Sequence, residues 1–393
     1  MAILAAVGVG TGLDGREAGL QAAGEALNRL GASAPRLAIL AASHQYQPRD
    51  VVSAVLSLLG DTPMIGFSTP AALSDAGQLP HGVVLSLLAG EFEAEAHWLP
   101  GYAQSSREAA RVLSKLSSDD RASQGILFFA DGFNGDAEQF CESMQPETRP
   151  VVGALSSGDL QTGSTFQMAG SQSGSGSLAA AFLRGKIRVG IGHAHGWDPV
   201  GTQFRISRSR GFWLRTLNGR PASETYAELF GHPARDWAFP PLSYLARLYP
   251  LGLAEGEELV VRAPIRVEAD GSFRMNAPLR DGADAYLLVG SQAACLRAAG
   301  GAAQNAVLAL GNAKPSFALI LADIAWQLLL ESNPGAEVAA VRDILGAGVP
   351  VAGGYTLGQI VPGGQQTSPA AGFPLQFLNQ HLLVIAFGET REA

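Results

Sequence analysis

The chain has 393 residues, of which 47% are apolar, 16% are charged and 48 are glycine, and this length predicts two or three domains around a sizeable core. The low charged fraction argues against disorder, and a formal net charge of −8 without a lysine or arginine cluster argues against nucleic acid as a partner. Two cysteines, Cys141 and Cys295, exclude a disulfide framework and a zinc knuckle and are typical of a reducing cytosol.

Neither the start of the chain nor its most apolar window indicates a targeting or membrane segment. Residues 1–10 have no basic region before their apolar run and lead directly into the polar stretch 11–17. The apolar window 316–330 contains Asp323 and is shorter than the roughly 20 residues that a spanning helix needs. We therefore expect a soluble cytoplasmic protein that has no membrane partner.

Three stretches of the chain share one pattern of apolar strands and amphipathic helices. Each reads β-α-β-α-β, then a loop, then a further strand, and they cover residues 1–90, 91–184 and 284–390. In the third unit, residues 285–290 form the predicted first strand and residues 292–310 its helix. This alternation predicts an α/β fold whose sheets are covered by helices on both faces.

The segment between the second and third units has a different pattern. Residues 185–283 contain short polar–apolar alternations and the turn signals Asn218-Gly219 and Asp270-Gly271, which are typical of antiparallel strands. A β-rich insertion before the third unit is therefore expected. The resulting domains are residues 1–190, with two α/β units, and residues 191–393, with the β-rich segment 191–283 followed by the third unit.

A short motif recurs at the same place in each unit. Residues 150–160 carry Gly153 and Ser156, residues 350–360 carry Gly353 and Thr356, and a looser copy at 63–73 carries Ser68 beside a threonine. Ligands of open α/β sheets bind beyond the carboxyl ends of the strands, so we predict that these residues bind a small ligand. The alternative is that the hydroxyls only cap turns and the glycines only allow close packing.

Signatures of catalysis are largely missing from the sequence. Residues 8–13 follow a strand and open a helix, but they lack the third glycine of a dinucleotide-binding loop. The sequence contains no phosphate-binding G-K-[ST] loop and no G-x-S-x-G nucleophile elbow. Neither cysteine has a local partner that would activate it. We therefore expect that the protein is not an enzyme.

The densest polar cluster lies in residues 190–198. His193 and His195 share one face of a predicted strand, with Asp198 nearby. They could hold a divalent metal, although no third ligand is evident, or serve a hydrolase or isomerase, or one histidine could ligate haem iron. A histidine that is only hydrogen-bonded at a strand end is the plain alternative. His44, after the second strand, is a further ligand-facing candidate, whereas three others are interpreted as surface or packing residues: His81, His232 and His381.

Several short motifs, taken in their order, resemble the FIST (F-box and intracellular signal transduction) family over nearly the whole chain. The N-terminal likeness is carried by Gly8-x-Gly10-x-x-x-x-Asp14 and Pro63-x-x-Gly66-x-Ser68. The C-terminal likeness is carried by His195-Gly196-Trp197-x-Pro199-x-Gly201, Leu217-x-Gly219-Arg220-Pro221-Ala222-x-x-x-Tyr226, Tyr249-Pro250-Leu251-Gly252-Leu253 and Pro350-Val-Ala-Gly353-x-Tyr355-Thr356. Gln359 stands where the family often has glutamate.

The resemblance implies a sensory module that binds a small ligand between its two domains and signals to a separate partner such as a histidine kinase. Amino-acid-like ligands have been proposed for the family, and its stand-alone bacterial NosP-type branch senses nitric oxide through haem. For a carboxylate ligand we expect Arg220 to act as a clamp, with Tyr226 beside it, although residues 218–221 also read as an ordinary hairpin turn. For haem, the only cofactor suggested, the axial candidates are His195, His193 and His44.

Overall fold

The structure is a computed structural model of the chain and describes residues 3–255, 258–363 and 372–389. It confirms the predicted α/β class. The last residues of the predicted third unit and of the C-terminal domain, from 390 onward, lie outside the described residues, as do 364–371 within that unit. None of the helices in the described ranges has the length and hydropathy to cross a bilayer.

The first two α/β units repeat the same succession of elements. The first unit consists of β1 (Leu4–Gly10), α1 (Gly15–Leu30), β2 (Leu37–Ser43), α2 (Pro48–Leu59), β3 (Met64–Thr69), β4 (Ala72–Ser74), β5 (Gly77–Leu79) and β6 (Val83–Ala89). The second consists of β7 (Phe92–Leu99), α3 (Ser106–Asp119), β8 (Ser123–Asp131), α4 (Ala137–Ser143), β9 (Val151–Ser156), β10 (Gln167–Ala169), β11 (Gln172–Gly174) and β12 (Leu178–Gly185).

The rest of the chain contains the third unit and the β-rich insertion. After β13 (Ile187–Ala194), the insertion consists of β14 (Trp197–Arg210), β15 (Trp213–Leu217), β16 (Arg220–Pro221), α5 (Ala222–Phe230), a 3-10 helix (Ala234–Ala238), α6 (Leu242–Leu248), β17 (Leu251–Glu255), β18 (Glu258–Arg262), β19 (Pro264–Val267), β20 (Phe273–Met275) and β21 (Asp284–Gly290). The third unit continues with α7 (Gln292–Ala309), β22 (Pro315–Asp323), α8 (Ile324–Leu329), α9 (Ala336–Leu345), β23 (Val351–Thr356), β24 (Gln359–Pro362), β25 (Leu375–Leu378) and β26 (Leu382–Glu389).

Helix starts follow from local sequence. Four helices begin directly after an aspartate or serine whose side chain accepts the backbone N–H three residues further on, namely at Asp14, Ser105, Asp136 and Ser291. Such a cap satisfies one of the backbone donors that the first helical turn leaves without an intrahelical partner. The boundaries of α1, α3, α4 and α7 are therefore set by single residues.

The three α/β sheets have one strand order and exchange their hairpins. The orders are β1-β6-β2-β3, β7-β12-β8-β9 and β13-β26-β22-β23. Each sheet is then completed by a hairpin from another unit: β10-β11 joins β3, β24-β25 joins β9, and β4-β5 joins β23. Strands from residues 1–190 and 191–393 thus share sheets, and the predicted domain boundary stays a prediction.

The strand order corrects the predicted start of the third unit. Residues 285–290, in β21, pair with β14 and β17 of the insertion, whereas β13 takes the edge position beside β26. A Cβ added at Gly190 or Gly192 of β13 would lie 2.2 or 2.1 Å from a carbonyl oxygen of α7, so the helix packs directly on this strand. The β-rich segment is therefore inserted within the third unit, after its first strand.

The arrangement of layers corrects the expectation of helices on both faces of each sheet. One large core cluster contains strand residues from all three sheets, together with Ile3, and no helix residue among those described. The rings of Phe67 and Phe129, for example, join the first and second sheets with their centroids 4.4 Å apart. Because successive side chains of a strand point to opposite faces, Ile39 enters this central core while Leu40 packs toward the helices. Each sheet is covered by helices on its outer face only.

Candidate functional site

The carboxyl ends of the parallel strands meet at one end of the central core. In the parallel strand pairs, Ser43 lies opposite Thr69 in the first unit, Asp131 opposite Ser156 in the second and Asp323 opposite Thr356 in the third. Backbone hydrogen bonds join neighbouring units just beyond these pairs, at residues 157 and 68 (3.0 Å) and at residues 357 and 155 (2.9 Å). The threefold motif therefore forms a single polar layer, at the strand ends where ligands of α/β sheets bind.

The predicted hydroxyls of this layer are buried, and two of them bond to the backbone. Ser68 Oγ donates to the carbonyl of Ser157 at 2.8 Å and accepts from the amide of Phe166 at 2.9 Å. Thr356 Oγ1 donates to Ala322 at 3.2 Å. Ser156 Oγ has no hydrogen-bond partner among the described residues. Ser68 and Thr356 thus tie strands together, and ligand binding by the three hydroxyls stays a prediction.

The two glycines of the motif lie against the neighbouring parallel strand. A Cβ at Gly153 would approach the Phe128 carbonyl oxygen to 2.4 Å, and one at Gly353 would approach that of Ile320 to 1.8 Å. These contacts account for glycine at both positions by close packing, which is the alternative weighed from the sequence.

The structure does not bring Arg220 and Tyr226 to the strand ends. Arg220 lies in β16, half exposed, and forms an ion pair with Glu228 of α5. Tyr226 is fully buried in the core of the insertion, where its hydroxyl donates to the Tyr249 carbonyl at 2.7 Å. Neither residue lines a cleft described below, so the expected grouping of a carboxylate clamp with the motif hydroxyls is not formed.

A cleft of about 630 Å³ opens directly above the polar layer, and we name it the strand-end cleft. His44 follows β2, Pro70 follows β3, and Ile324 follows β22, so the strand ends of the first and third units form its floor. The second unit contributes the loop after β9, and α6 of the insertion closes the other side. Its lining residues are His44, Gln45, Pro70, Gln78, Gly158, Asp159, Leu160, Pro241, Tyr244, Leu245, Leu248, Ile324, Gln327, Leu328, Glu331 and Pro334. All three units and the insertion therefore contribute to it.

A buried ion pair holds α6 in place beside this cleft. Arg247 of α6 and Asp323 at the end of β22 are both fully buried, and Arg247 Nη2 lies 2.7 and 2.9 Å from the two carboxylate oxygens. The carboxylate also accepts the backbone amides of Ala325 and Gln380. Because buried charges are stable only when paired and hydrogen-bonded, the contact fixes the insertion against the third unit.

A second cleft, of about 370 Å³, contains a group of three histidines, and we name it the histidine cleft. The His381 ring centroid lies 5.4 Å from that of His193 and 4.7 Å from that of His195. Burial lowers the pKa of His195, and burial together with the neighbouring histidines holds the pKa of His381 well below its usual range. These two imidazoles are therefore neutral at physiological pH.

Sequence reasoning missed His381 as a member of this group. It immediately precedes β26, whose residue Leu382 pairs with Ala194, so β-sheet register places His381 beside the two histidines of β13. The signal was the repeat itself, because β26 corresponds to β6 and β12, each of which pairs with the first strand of its own unit. Recognising β13 as that first strand would have revealed the third histidine.

The chemistry of the histidine cleft is limited by what surrounds it. Asp198 also lines the cleft, but no group of three metal-binding side chains suited to a metal ion exists within residues 3–255, 258–363 and 372–389.

The two cysteines lie outside both clefts. Burial raises the pKa of Cys295 to about 12, and it also raises the pKa of Cys141. Both cysteines are free and buried, so neither thiol is an activated nucleophile.

Comparisons with known proteins match both halves of the chain. A model of the FIST N domain matches residues 36–220, and a model of the FIST C domain matches residues 222–362. Uncharacterized proteins of Mycobacterium bovis and Mycobacterium tuberculosis are each 26% identical over 229 residues, 57% of this chain and 58% of theirs. The chain thus matches little more than half the length of these curated relatives.

Solved structures show only a distant likeness. A chorismatase crystal structure aligns over 99% of both chains with a TM-score of 0.37 and 9% identity. T. maritima PurL complexed with AMPPCP aligns over 99% of this chain and 73% of its own, with a TM-score of 0.24 and 11% identity. Scores this low establish no shared fold or chemistry.

Proposed function

The chain belongs to the FIST family, and from this premise we propose that it is a sensor that binds a small ligand in the strand-end cleft and regulates a separate partner such as a histidine kinase. FIST domains are signal-transduction sensor domains. We further propose that the protein acts in the cytoplasm and is not an enzyme. The absence of a catalytic motif in the sequence and the raised pKa of both thiols support the latter point.

The observation that carries this proposal is the position of the strand-end cleft. It lies above the carboxyl ends of the strands, where α/β sheets bind ligands, and its volume of about 630 Å³ is within the range of small-molecule sites. The insertion closes it through α6, so a ligand in the cleft touches both the α/β units and the insertion. A bound ligand would therefore change the free energy of their contact, which is what a sensor requires.

The test is a thermal-stability screen with amino acids, amines and small carboxylates. A ligand present at 100 times its dissociation constant is expected to stabilise the protein by about 2.7 kcal/mol. Gln327→Trp fills the cleft from α8 and is expected to abolish the shift. Gln124→Trp is the matched control, because Gln124 is exposed near the start of β8, whereas the strand-end cleft lies beyond the carboxyl ends of the strands. A ligand shift that survives Gln327→Trp, or a screen without any shift, would overturn the proposal.

A second candidate is a haem-based nitric-oxide sensor, and the histidine cleft favours it. Neutral imidazoles are the form that ligates iron, and the cleft lining also includes Leu259, Val260, Val261, Leu288 and Leu378. The donor chemistry thus fits a haem with His193 or His195 as the axial ligand. His44 lies in the strand-end cleft instead, so haem ligation by His44 would place the group there.

The absorption spectrum decides this second candidate. A Soret band is expected in the purified protein or after addition of haem, and replacing His193, His195 or His44 by alanine one at a time identifies the axial ligand through loss or shift of that band. A protein that shows no Soret band after reconstitution does not bind haem, and that result would exclude this candidate.

A further inference from the structure

We infer that the ligand of the strand-end cleft is an organic ammonium: an amine that carries an apolar body and no carboxylate. The inference rests on the function proposed above and adds the chemical class of the ligand. It departs from the expectation of a carboxylate held by Arg220, because that arginine pairs with Glu228 in the insertion and lies outside the cleft.

The lining contains acidic side chains but no lysine or arginine among the described residues. Asp159 and Glu331 are its two carboxylates. The carboxylate of Asp159 accepts the amide of Gln161 at 2.9 Å, and among the described residues neither carboxylate forms an ion pair. A ligand carboxylate would meet two like charges without a counter-ion, whereas an ammonium group would meet two acceptors.

Three further polar side chains of the cleft also suit a cation. Tyr244 of α6 presents a half-buried aromatic ring, and cations bind favourably over such rings. Gln78 and Gln327 supply amide oxygens that accept hydrogen bonds from an ammonium group. Charge, ring and acceptors therefore agree on one class of head group.

The body of the ligand is defined by the apolar part of the cleft. Leu160 comes from the second unit, Leu245 and Leu248 come from α6, and Ile324 and Leu328 come from α8. These side chains line the same cleft as Asp159, in the loop after β9, and Glu331, which follows α8, so a hydrocarbon or aromatic body is desolvated there while its amine reaches an acid. Simple inorganic cations lack this apolar part.

The experiment compares three probes that share one body: 3-phenylpropylamine, 3-phenylpropan-1-ol and 3-phenylpropionate. Isothermal titration of the full chain is expected to show the amine binding about tenfold more tightly than the alcohol, with no binding of the carboxylate. Glu331→Gln and Asp159→Asn are each expected to weaken the amine about threefold and to leave the alcohol unchanged. The asparagine retains an oxygen that can accept the Gln161 amide. Glu142→Gln, exposed on α4 and outside the cleft, is the matched control.

Each outcome separates this inference from the proposed function. If the alcohol or the carboxylate binds as tightly as the amine, and Gln327→Trp abolishes that binding, the cleft is the ligand site and the inferred charge class is wrong. An amine affinity unchanged in both acid variants would also overturn the inferred class. If none of the probes binds, or Gln327→Trp leaves their binding unchanged, the inferred class is overturned, whereas the proposed function is overturned only if the thermal-stability screen also gives no shift that Gln327→Trp removes.

Discussion

Arg247 and Asp323 form an ion pair in which neither side chain is exposed to solvent. The arginine belongs to α6 of the insertion and the aspartate ends β22 of the third unit, so one contact joins the insertion to the strand ends. Arg247 Nη1 also donates to the Pro264 carbonyl at 3.1 Å, and Gln380 Nε2 donates to the Arg247 carbonyl at 2.8 Å. The pair and its hydrogen bonds therefore hold the wall of the strand-end cleft.

Removing one partner of this pair is expected to cost far more than removing an exposed pair. Asp323→Asn leaves the buried guanidinium without a counter-ion, and we expect a loss of about 3–5 kcal/mol in the free energy of unfolding. Glu228→Gln breaks the exposed pair with Arg220 and is expected to change the free energy of unfolding by about 1 kcal/mol or less. Urea titration followed by circular dichroism measures both. Equal losses in the two variants would contradict the role given to the buried pair.

The two serine hydroxyls of the polar layer are expected to differ in their effect on stability. Ser68 Oγ makes two hydrogen bonds to buried backbone groups, so Ser68→Ala leaves them unsatisfied and is expected to cost about 1–3 kcal/mol. Ser156 Oγ makes none with the described residues, so Ser156→Ala is expected to be neutral or slightly stabilising. Thermal unfolding of the two alanine variants tests the difference. A similar loss in both would show that Ser156 has a partner in solution.

Local features of the fold could be predicted from the sequence, whereas its long-range pairing could not. The motif around Gly153 and Gly353 predicted equivalent strand ends, because periodicity and turn residues act within a few positions. The hairpin exchange and the contact of Phe67 with Phe129 depend on residues of different units, and a single unit contains no signal for them. The strand-end cleft was expected between domains, but its lining depended on where α6 packs.

The histidine cleft is expected to make the free energy of unfolding depend on pH. The pKa values of His195 and His381 lie below the ordinary 6.5 in the folded state, so the unfolded chain binds more protons as the pH falls through 6.5. Stability is therefore fully present above that pH and is lost below it, at up to about 1.4 kcal/mol per pH unit and group. We expect His381→Gln to flatten the fall in melting temperature between pH 7.5 and 5, and the exposed His232→Gln to leave it unchanged. If the melting temperature falls by the same amount between pH 7.5 and 5 in both variants, the histidine cleft is not the source of the pH dependence.

Replacing a glycine by alanine is expected to change the stability of the protein in opposite directions in β13 and in α7. Gly192 lies in β13, and a Cβ there would come within 2.1 Å of the Ala302 carbonyl oxygen and 2.5 Å of the Ala306 amide nitrogen. Both are backbone atoms of α7, so Gly192→Ala requires the helix to move away from the sheet, and we expect the free energy of unfolding to fall by about 2 kcal/mol or more.

Gly301 lies within α7 with nothing inside 4 Å of an added Cβ. Gly301→Ala is therefore expected to stabilise the protein by about 0.5–1 kcal/mol, because alanine has the higher helix propensity and lowers the entropy of the unfolded chain. Denaturant unfolding of both variants measures the contrast. If Gly192→Ala has no effect, β13 does not pack on α7 as the first strand of the third unit.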